Sequence, residues 1–201
     1  MSQPALDRLL AQFPDAVLST HAHRGDETAI IHASRLLEVA TFLKTDPDLH
    51  FDMLVDLTCI DTLGLNPQCA KAIGGTVNPT YSRVPADALA GTITAVPVPP
   101  PQSGRFQVVY HLRAMTTGKR LRLKVPLDEG QDGENPEVDS VASLWKSANW
   151  AERETWDMFG VKFRGHPDLR RILMYEEFVG HPLRKDYPKE KRQPLVRRDF
   201  S

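Results

Sequence analysis

The chain is poor in cysteine, which restricts the cofactors that it could hold by itself. Its two cysteines, Cys59 and Cys69, form no C-x-x-C unit. Because [2Fe–2S] and [4Fe–4S] clusters take about four protein ligands, this pair alone cannot hold either cluster. We expect both cysteines to be reduced, structural thiols.

Long apolar runs are also missing. The longest, 51–60 and 106–112, are interrupted by polar residues or fall well short of the roughly 20 residues that cross a bilayer. The first residues resemble neither a secretory signal nor an arginine-rich transit segment. We therefore expect a cytoplasmic protein.

Three widespread motifs of catalytic and nucleotide-binding loops are absent. The sequence contains no G-x-G-x-x-G, no G-x-x-x-x-G-K-[ST] and no G-x-S-x-G. These motifs bind dinucleotides, bind nucleoside triphosphates and present a nucleophilic serine, respectively. Their absence argues against these three common site types.

The composition is that of a soluble globular protein, with an uneven distribution of charge. The 201 residues, 41% of them hydrophobic and 25% charged, fit one domain with or without a tail. The net charge of −1 divides into +4 for residues 164–201 (ten Lys/Arg, six Asp/Glu) and −5 for residues 1–163. We predict a folded domain over 1–163 and an extended docking tail over 164–201.

Hydrophobic periodicity predicts alternating helices and strands in the first part of the chain. Apolar residues at helical spacing predict helices over 5–13 and 35–44, the second capped by Ser34. A β-branched run predicts a strand over 28–32, and period-2 alternation predicts another over 51–60. In that second strand we expect the core to receive Phe51, Met53, Val55, Leu57 and Cys59.

The second part of the chain predicts a hairpin and a long helix. Strands over 105–115 and 119–127 are joined by Thr-Thr-Gly, and a helix follows from Val141 to Phe159, capped by Asp139 or Ser140. The predicted fold class is α+β, with a mainly antiparallel sheet covered by helices and an extended C-terminal arm. Residues 61–104 hold seven of the 16 prolines and no persistent period, so we expect an insertion there.

Four charged residues near the end of the predicted long helix form a candidate site. They are Glu152, Arg153, Glu154 and Asp157. Helical spacing predicts an Arg153–Asp157 pair and a face shared by Glu154 and Asp157. The group could be an acid/base pair, a socket for downstream arginines or a solvated surface, and the neighbouring Trp150 and Trp156 favour a buried ionic socket.

One tripeptide occurs twice after that helix, as Gly165-His166-Pro167 and Gly180-His181-Pro182. Because glycine admits a turn and proline restricts the residue before it, each histidine is predicted to lie on a rigid corner. With Asp168 and Asp186 the two histidines could form a metal site or a general base pair. Since no H-x-x-x-H or H-x-H spacing exists, backbone hydrogen bonding by each histidine is the favoured interpretation.

The basic residues of the tail allow two interpretations. Arg170-Arg171, Arg184-Lys185 and the later Lys189, Lys191, Arg192, Arg197 and Arg198 could neutralise nucleic-acid phosphates. However, acidic residues and apolar residues such as Leu169, Leu173 and Phe178 lie among them. Such alternation favours docking on another protein.

The segment 148–188 resembles a known family. Its stretches ANWAERETWDMFGVKFRGHPDLRRIL and FVGHPLRKDYP are similar to the signature of the 30-kDa subunit of bacterial NADH-quinone oxidoreductase, the respiratory complex I. The resemblance is gap-free over about 148–188, and the preceding elements are compatible in order and length. The proline-rich span 61–104 is longer than the usual connection of the family.

The resemblance implies a non-catalytic scaffold subunit in the peripheral arm of a proton-pumping NADH:quinone oxidoreductase. It implies no redox centre in this chain, with FMN and iron–sulfur clusters in other subunits, and contact above all with the quinone-site subunit. The implied location is the cytoplasmic side of the bacterial inner membrane, with membrane association only through the complex and no nucleic-acid partner. Three alternatives stay open: a related membrane-bound hydrogenase or ferredoxin-driven complex, a stand-alone metal-dependent enzyme using His166 and His181, and an RNA-binding protein using the basic tail.

No catalytic, cofactor-binding or metal-binding residue is therefore assigned, and the candidate site is a structural and interface signature. Its residues are Glu152, Arg153, Glu154, Asp157, Gly165, His166, Pro167, Asp168, Arg170, Arg171, Gly180, His181, Pro182, Arg184, Lys185 and Asp186.

Overall fold

The computed structural model describes residues 4–23, 25–63, 104–129, 135–188, 190 and 193. The α-helices are α1 (Pro4–Gln12), α2 (Leu36–Thr45) and α3 (Ala148–Phe159), and a 3-10 turn spans Ala33–Arg35. The strands are β1 (Val17–His23), β2 (Asp26–Ile31), β3 (Met53–Asp61), β4 (Phe106–Arg113), β5 (Arg120–Leu127), β6 (Glu137–Asp139) and β7 (Lys162–Arg164).

Five strands form the main sheet, in the order β1-β2-β5-β4-β3. The β2–β5 pair is parallel and the other three pairs are antiparallel, while β6 and β7 form a separate parallel pair. The predicted α+β class with a mainly antiparallel sheet is confirmed.

The core lies between one face of this sheet and the helices. On α2 the predicted spacing places Leu36, Val39, Ala40 and Leu43 in the core, all nearly inaccessible. The predicted Ser34 cap is wrong, because Ser34 lies inside the 3-10 turn and the residue before α2, Arg35, makes no capping side-chain hydrogen bond. Burial of one apolar face therefore stabilises this helix in place of a capping side chain.

A β-bulge in β3 changes which side chains reach the core. The register with β4 shifts between Leu54 and Asp56, so the alternation changes phase there. Leu54 is buried while Met53 is 42% and Val55 53% exposed, which makes the prediction for these two residues wrong. Leu57 and Cys59, beyond the bulge, are buried as predicted.

The predicted start of the last helix, Val141, is also wrong. Residues 141–147 form turns, and α3 begins at Ala148. Tertiary hydrogen bonds hold the turns: Trp145 Nε1 donates to Phe51 O over 3.1 Å, and Ser147 Oγ to Leu54 O over 3.0 Å. Neither Asp139 nor Ser140 therefore caps the helix; its N-cap is Ser147, without a side-chain capping bond.

The two ends of the proline-rich span meet at the open end of the β3–β4 pair. Asp61 lies opposite Phe106, and Thr62 N donates to Arg105 O over 2.8 Å. The span therefore begins and ends at neighbouring positions of the antiparallel pair β3–β4. The register between these two strands is kept up to the span. Residues 64–103, and with them Cys69, lie outside the described residues.

Candidate functional site

The candidate site lies where residues 165–188, here called the arm, pack against α3. No helix or strand occurs among the described residues of the arm. Its backbone is held mainly by hydrogen bonds with side chains, some of which accept from its N–H groups and some of which donate to its carbonyls. The arm therefore depends on specific polar contacts with the folded domain.

Asp157 is the main acceptor for the arm. Its fully buried carboxylate accepts hydrogen bonds from the backbone N–H groups of Ile172 (3.2 Å), Leu173 (2.9 Å) and Met174 (2.8 Å). It also forms a salt bridge with Arg171. Burial alone would raise the pKa of Asp157, but these donors outweigh it and lower the pKa. Asp157 thus stays ionised and binds one turn of the arm.

Arg171 links α3 to the later part of the arm. Besides pairing with Asp157, its guanidinium donates to Phe178 O over 2.8 Å and to Gly180 O over 3.1 Å. It also lies 5.6 Å from the ring centroids of both Trp156 and Phe178. One cation therefore satisfies a buried carboxylate and two carbonyls, which fixes the bend between them.

The end of α3 receives the second Gly-His-Pro corner. His181 Nδ1 donates to Asp157 O over 3.0 Å, and Arg184 Nε donates to Phe159 O over 2.6 Å. Gly160 ends the helix at φ +79°, and a Cβ there would lie 2.6 Å from both Arg184 Nη2 and His181 Cδ2. Glycine is required here both by its backbone angle and by the close approach of the arm.

Glu152 and His166 form a second buried polar group at the first corner. Glu152 accepts bonds from Ser140 Oγ (2.6 Å) and Val141 N (2.7 Å). Burial raises the pKa of Glu152 to about 7, against the lowering effect of those donors. His166 Nε2 lies 3.9 Å from Glu152 Oε2 and donates to Asn149 O over 3.0 Å.

The remaining nitrogen of His166 is also bonded to backbone, because Asp168 N donates to Nδ1 over 3.0 Å. An Nδ1 that accepts implies that the neutral ring carries its proton on Nε2. Both histidines thus bond backbone groups, as the favoured interpretation predicted. Among the described residues, no three His, Cys, Asp or Glu side chains are grouped to hold a metal ion.

A further set of charges holds the end of the arm to the sheet. Arg105 pairs with Asp61 (2.8 Å), Asp186 (2.9 Å) and Glu129, and Lys185 N donates to Asp61 Oδ2 over 2.8 Å. Arg105 lowers the pKa of Asp186. Sequence reasoning missed Asp61 and Arg105, because pattern and spacing contain no signal for contacts between such distant positions.

One predicted contact on α3 is wrong. Arg153 does not pair with Asp157; it donates to Arg170 O and Arg171 O, both over 3.2 Å, and lies 5.5 Å from the Trp150 ring centroid. Glu154 and Asp157 are three residues apart on α3 as predicted, but Glu154 is exposed whereas Asp157 is buried, so the two carboxylates form no common site. Arg171 takes the position beside Asp157 because it satisfies several acceptors at once.

The other predicted site residues lie at the corners or on the surface. Gly165 (φ +78°) and Gly180 (φ +97°) are left-handed and precede His166-Pro167 and His181-Pro182, so both corners have the expected backbone. Arg170 forms an exposed 2.9 Å pair with Asp168. The basic residues Lys189, Lys191, Arg192, Arg197 and Arg198 lie outside the described residues.

The outer surface around the arm is apolar in several places. Trp150 is 66% exposed, Leu173 56%, Val179 63% and Leu183 52%. Large apolar side chains held outward on a fixed backbone are typical of residues that a partner protein covers. No helix in the described ranges has the length and apolar character to span a membrane.

Comparison with known proteins agrees with these features. The chain is 40% identical over 183 residues to a subunit of the NADH-quinone oxidoreductase of Roseiflexus sp. (strain RS-1), covering 91% of this chain and 82% of the relative. It is 36% identical over 184 residues to the equivalent subunit of Citrifermentans bemidjiense, covering 92% and 88%. Coxiella burnetii has a third such relative, 37% identical over 188 residues, covering 92% and 78%.

A solved structure shares the fold. It is a chain of the membrane-bound sulfane sulfur reductase, an archaeal respiratory membrane complex, with a TM-score of 0.61 and 18% identity over 94% of this chain and 86% of the other. The model of the family described as respiratory-chain NADH dehydrogenase, 30 Kd subunit, matches residues 29–193. This match and the relatives show that the chain belongs to the 30-kDa subunit family of respiratory-chain NADH dehydrogenase.

Proposed function

We propose that this chain is a non-catalytic scaffold subunit in the peripheral arm of a proton-pumping NADH:quinone oxidoreductase. In this role the arm docks on the subunit that forms the quinone site and supports it during electron transfer from NADH to quinone. The observation that carries the proposal is an arm fixed from within by Asp157 and Arg171 while Val179 and Leu183 point outward.

Preorganisation supports a docking role. Association costs ordering entropy, and a segment already held in one conformation loses less of it on binding. Asp157, Arg171 and Arg184 hold the arm by bonds within the chain, which leaves its exposed apolar side chains for a neighbour. The contact would then combine apolar anchors with few unpaired charges.

The proposal includes no redox centre in this chain, so FMN and the iron–sulfur clusters belong to other subunits. Cys59 supports this: it is buried, and burial raises the pKa of its thiol to about 12, which disfavours the thiolate that metals bind. The isolated chain should show no flavin or iron–sulfur absorbance, and visible bands from stoichiometric cofactor would contradict it.

The proposed location is the cytoplasmic side of the inner membrane, with the chain held there only by its partner subunits. Salt or chaotrope washing of native membranes should release the chain together with other subunits. Resistance of the chain to such washing after removal of those subunits would show a membrane anchor of its own.

A related membrane-bound hydrogenase or ferredoxin-driven complex is the second candidate. The fold shared with one chain of an archaeal respiratory membrane complex supports this candidate. The relatives named as NADH-quinone oxidoreductase subunits, at 36–40% identity over most of the chain, favour the first candidate. The subunits that co-purify with the chain distinguish the two, since only the first complex would bring an NADH-oxidising flavoprotein.

The experiment is affinity purification of the tagged chain from native membranes, with identification of bound subunits and assay of NADH:quinone activity. The variant Val179→Asp/Leu183→Asp places charges on the exposed apolar surface of the arm. It should lower the yield of assembled complex by about tenfold or more, as loss of interface anchors does. Because both residues are more than half exposed, the isolated variant should keep nearly the wild-type melting temperature.

The matched control is Leu10→Asp, an exposed apolar residue on α1. Its assembly yield should stay within about twofold of wild type, as for surface substitutions outside an interface. A monomeric wild-type chain, or full assembly of the double variant, would contradict the docking role.

A further inference from the structure

The face of the main sheet opposite the helices carries a row of basic side chains on two neighbouring inner strands, β4 and β5. We call it the basic stripe; it consists of His111, Arg113, Arg120, Arg122 and Lys124. Along both strands these residues alternate with core residues such as Leu112, Leu121 and Leu123. Because side chains alternate across a strand, the stripe lies on the other face.

The cross-strand pairing within the stripe is unfavourable for the fold. Arg113 lies directly opposite Arg120, and His111 directly opposite Arg122. The like charges of Arg113 and Arg120 in this position destabilise the sheet. Burial and the neighbouring Arg122 also lower the pKa of Lys124, and the same two causes lower the pKa of His111.

The stripe also lacks ion-paired carboxylates within the described residues. None of its side chains forms an ion pair; Arg122 Nη1 reaches only Thr28 Oγ1, over 3.4 Å, and Arg113 Nε is buried without a hydrogen bond. Every other arginine that the structure describes pairs with a carboxylate or donates to a backbone carbonyl. These are Arg8, Arg35, Arg105, Arg153, Arg164, Arg170, Arg171 and Arg184.

A groove of about 450 Å³ runs over the arginines of the stripe, with Asp26, Glu27 and Asp56 also among its lining residues. Asp26 and Glu27 belong to β2 and Asp56 to β3, the strands on either side of the two basic ones. Three inter-strand spacings separate β2 from β3, a distance of roughly 14 Å. The groove therefore has a cationic floor and acidic residues on both flanks.

We propose that the basic stripe binds an extended acidic segment of a partner polypeptide, with carboxylates at alternate residues directed onto the arginines. Successive side chains on one face of an extended chain are about 6.7 Å apart, the same repeat as the rungs Arg113/Arg120 and His111/Arg122. Carboxylates at that repeat would pair with guanidinium groups and remove the like-charge cost. The stripe lies on β4 and β5, so the proposal does not depend on the function of the arm.

The flanking carboxylates favour a narrow polypeptide over wide polyanions. The phosphates of duplex DNA or of an anionic bilayer spread over a width greater than the roughly 14 Å between β2 and β3. The acidic flanks, Asp26 and Asp56 among them, would then face phosphates without a compensating cation. A single extended segment instead fits between them, with its acidic side chains on the stripe alone.

The test measures binding of fluorescent peptides to the full-length chain by anisotropy at low and high salt. One peptide carries Glu at every second position, and its control carries the same number of Glu at every third position, which puts successive carboxylates on opposite faces of an extended chain. The first should bind at least about tenfold more tightly, with affinity that falls as salt rises. Equal affinities, or no binding of the first peptide at low salt, would overturn the proposal.

Substitutions connect the binding to the stripe. Arg120→Gln/Arg122→Gln should weaken the first peptide by about tenfold or more, whereas Arg164→Gln/Arg170→Gln, with the same charge change at paired exposed arginines, should stay within about threefold. Equal effects of the two double variants would contradict the stripe as the site. Duplex DNA or anionic vesicles that bind the stripe as tightly as the peptide would also overturn it.

The arm and the stripe can fail separately in these experiments. Val179→Asp/Leu183→Asp should leave peptide affinity unchanged, because neither residue lines the groove. A chain that binds the peptide but recovers no partner subunits from membranes would contradict the scaffold role and leave the stripe supported.

Discussion

Charged residues are used in opposite ways at the arm and on the basic stripe. Beneath the arm, Asp157 is buried, yet every bond that it accepts comes from the arm itself. On the stripe, Arg113 and Arg120 face each other with no carboxylate partner among the described residues. Charges satisfied within the chain stabilise one conformation, whereas unsatisfied charges cost stability and are available for binding.

The largest predicted effect is on the satisfied side of this comparison. Asp157→Ala removes the acceptor of three backbone N–H groups and leaves Arg171 without its carboxylate. Breaking a buried pair in this way should lower the free energy of unfolding by about 3–5 kcal/mol. Urea denaturation measures it, and Asp157→Asn, which keeps one acceptor oxygen, should lose less; equal stability of wild type and Asp157→Ala would contradict the role of this contact.

The second prediction concerns pH. The folded chain holds the pKa of Glu152 at about 7, above its usual 4.5, so the folded state binds more protons between these values. Stability from this group is therefore complete below about pH 4.5 and is lost as pH rises through 7, by about 3 kcal/mol. The lowered pKa of Asp157 acts oppositely, since its contribution is lost as pH falls toward its folded pKa.

Glu152→Gln isolates the first of these effects, because glutamine keeps the shape and does not ionise. The difference in stability between the two proteins should change with pH between 4.5 and 7 and be constant above about pH 8. A pH-independent difference would show that Glu152 titrates normally.

The third prediction separates backbone strain from contact with the arm. Gly160 (φ +79°) and Gly165 (φ +78°) have nearly the same backbone angle, but only at Gly160 would a Cβ meet Arg184 and His181. Gly165→Ala should cost about 1–2 kcal/mol for the left-handed conformation, and Gly160→Ala about 1–3 kcal/mol more for the clash. Thermal or urea unfolding compares them, and equal losses would mean that the arm does not pack closely on the end of α3.

The smallest predicted effect has the opposite sign. Arg120→Gln removes a like-charge pair with Arg113 and should raise the free energy of unfolding by about 0.2–1 kcal/mol. Arg164→Gln, which removes a 3.0 Å pair with Asp139, should lower it by about 0–1 kcal/mol. Destabilisation by Arg120→Gln would show that the stripe contributes to the fold, which would contradict the comparison.

Periodicity predicted the elements whose burial pattern is regular and failed where tertiary contacts decide. The hairpin of β4 and β5 and the inner face of α2 follow from local alternation and spacing. The strand β1 was not predicted, because four of its seven residues are polar and it shows no apolar alternation, although pairing with β2 holds it in the sheet. No local pattern contains the bulge in β3 or the bond from Trp145 to Phe51.

The candidate site shows the same limit. Its residues could be found because Glu152, Asp157 and the two Gly-His-Pro corners crowd one segment, but their partners could not. Helical spacing suggested Arg153 for Asp157, whereas the fold supplies Arg171, which satisfies several acceptors at once. For the stripe, the sequence shows the alternation of basic and apolar residues along β5, but the placement of Arg113 opposite Arg120 follows only from the register of β4 on β5.

Hydrogen–deuterium exchange at the amides of Ile172, Leu173 and Met174 tests the central claim most directly. If Asp157 fixes the arm before any partner binds, these amides in the isolated wild-type chain exchange far more slowly than in an unfolded peptide. In Asp157→Ala their protection should be lost while that of β4 persists. Exchange of the wild-type amides at the rate of an unfolded peptide would contradict a preformed arm.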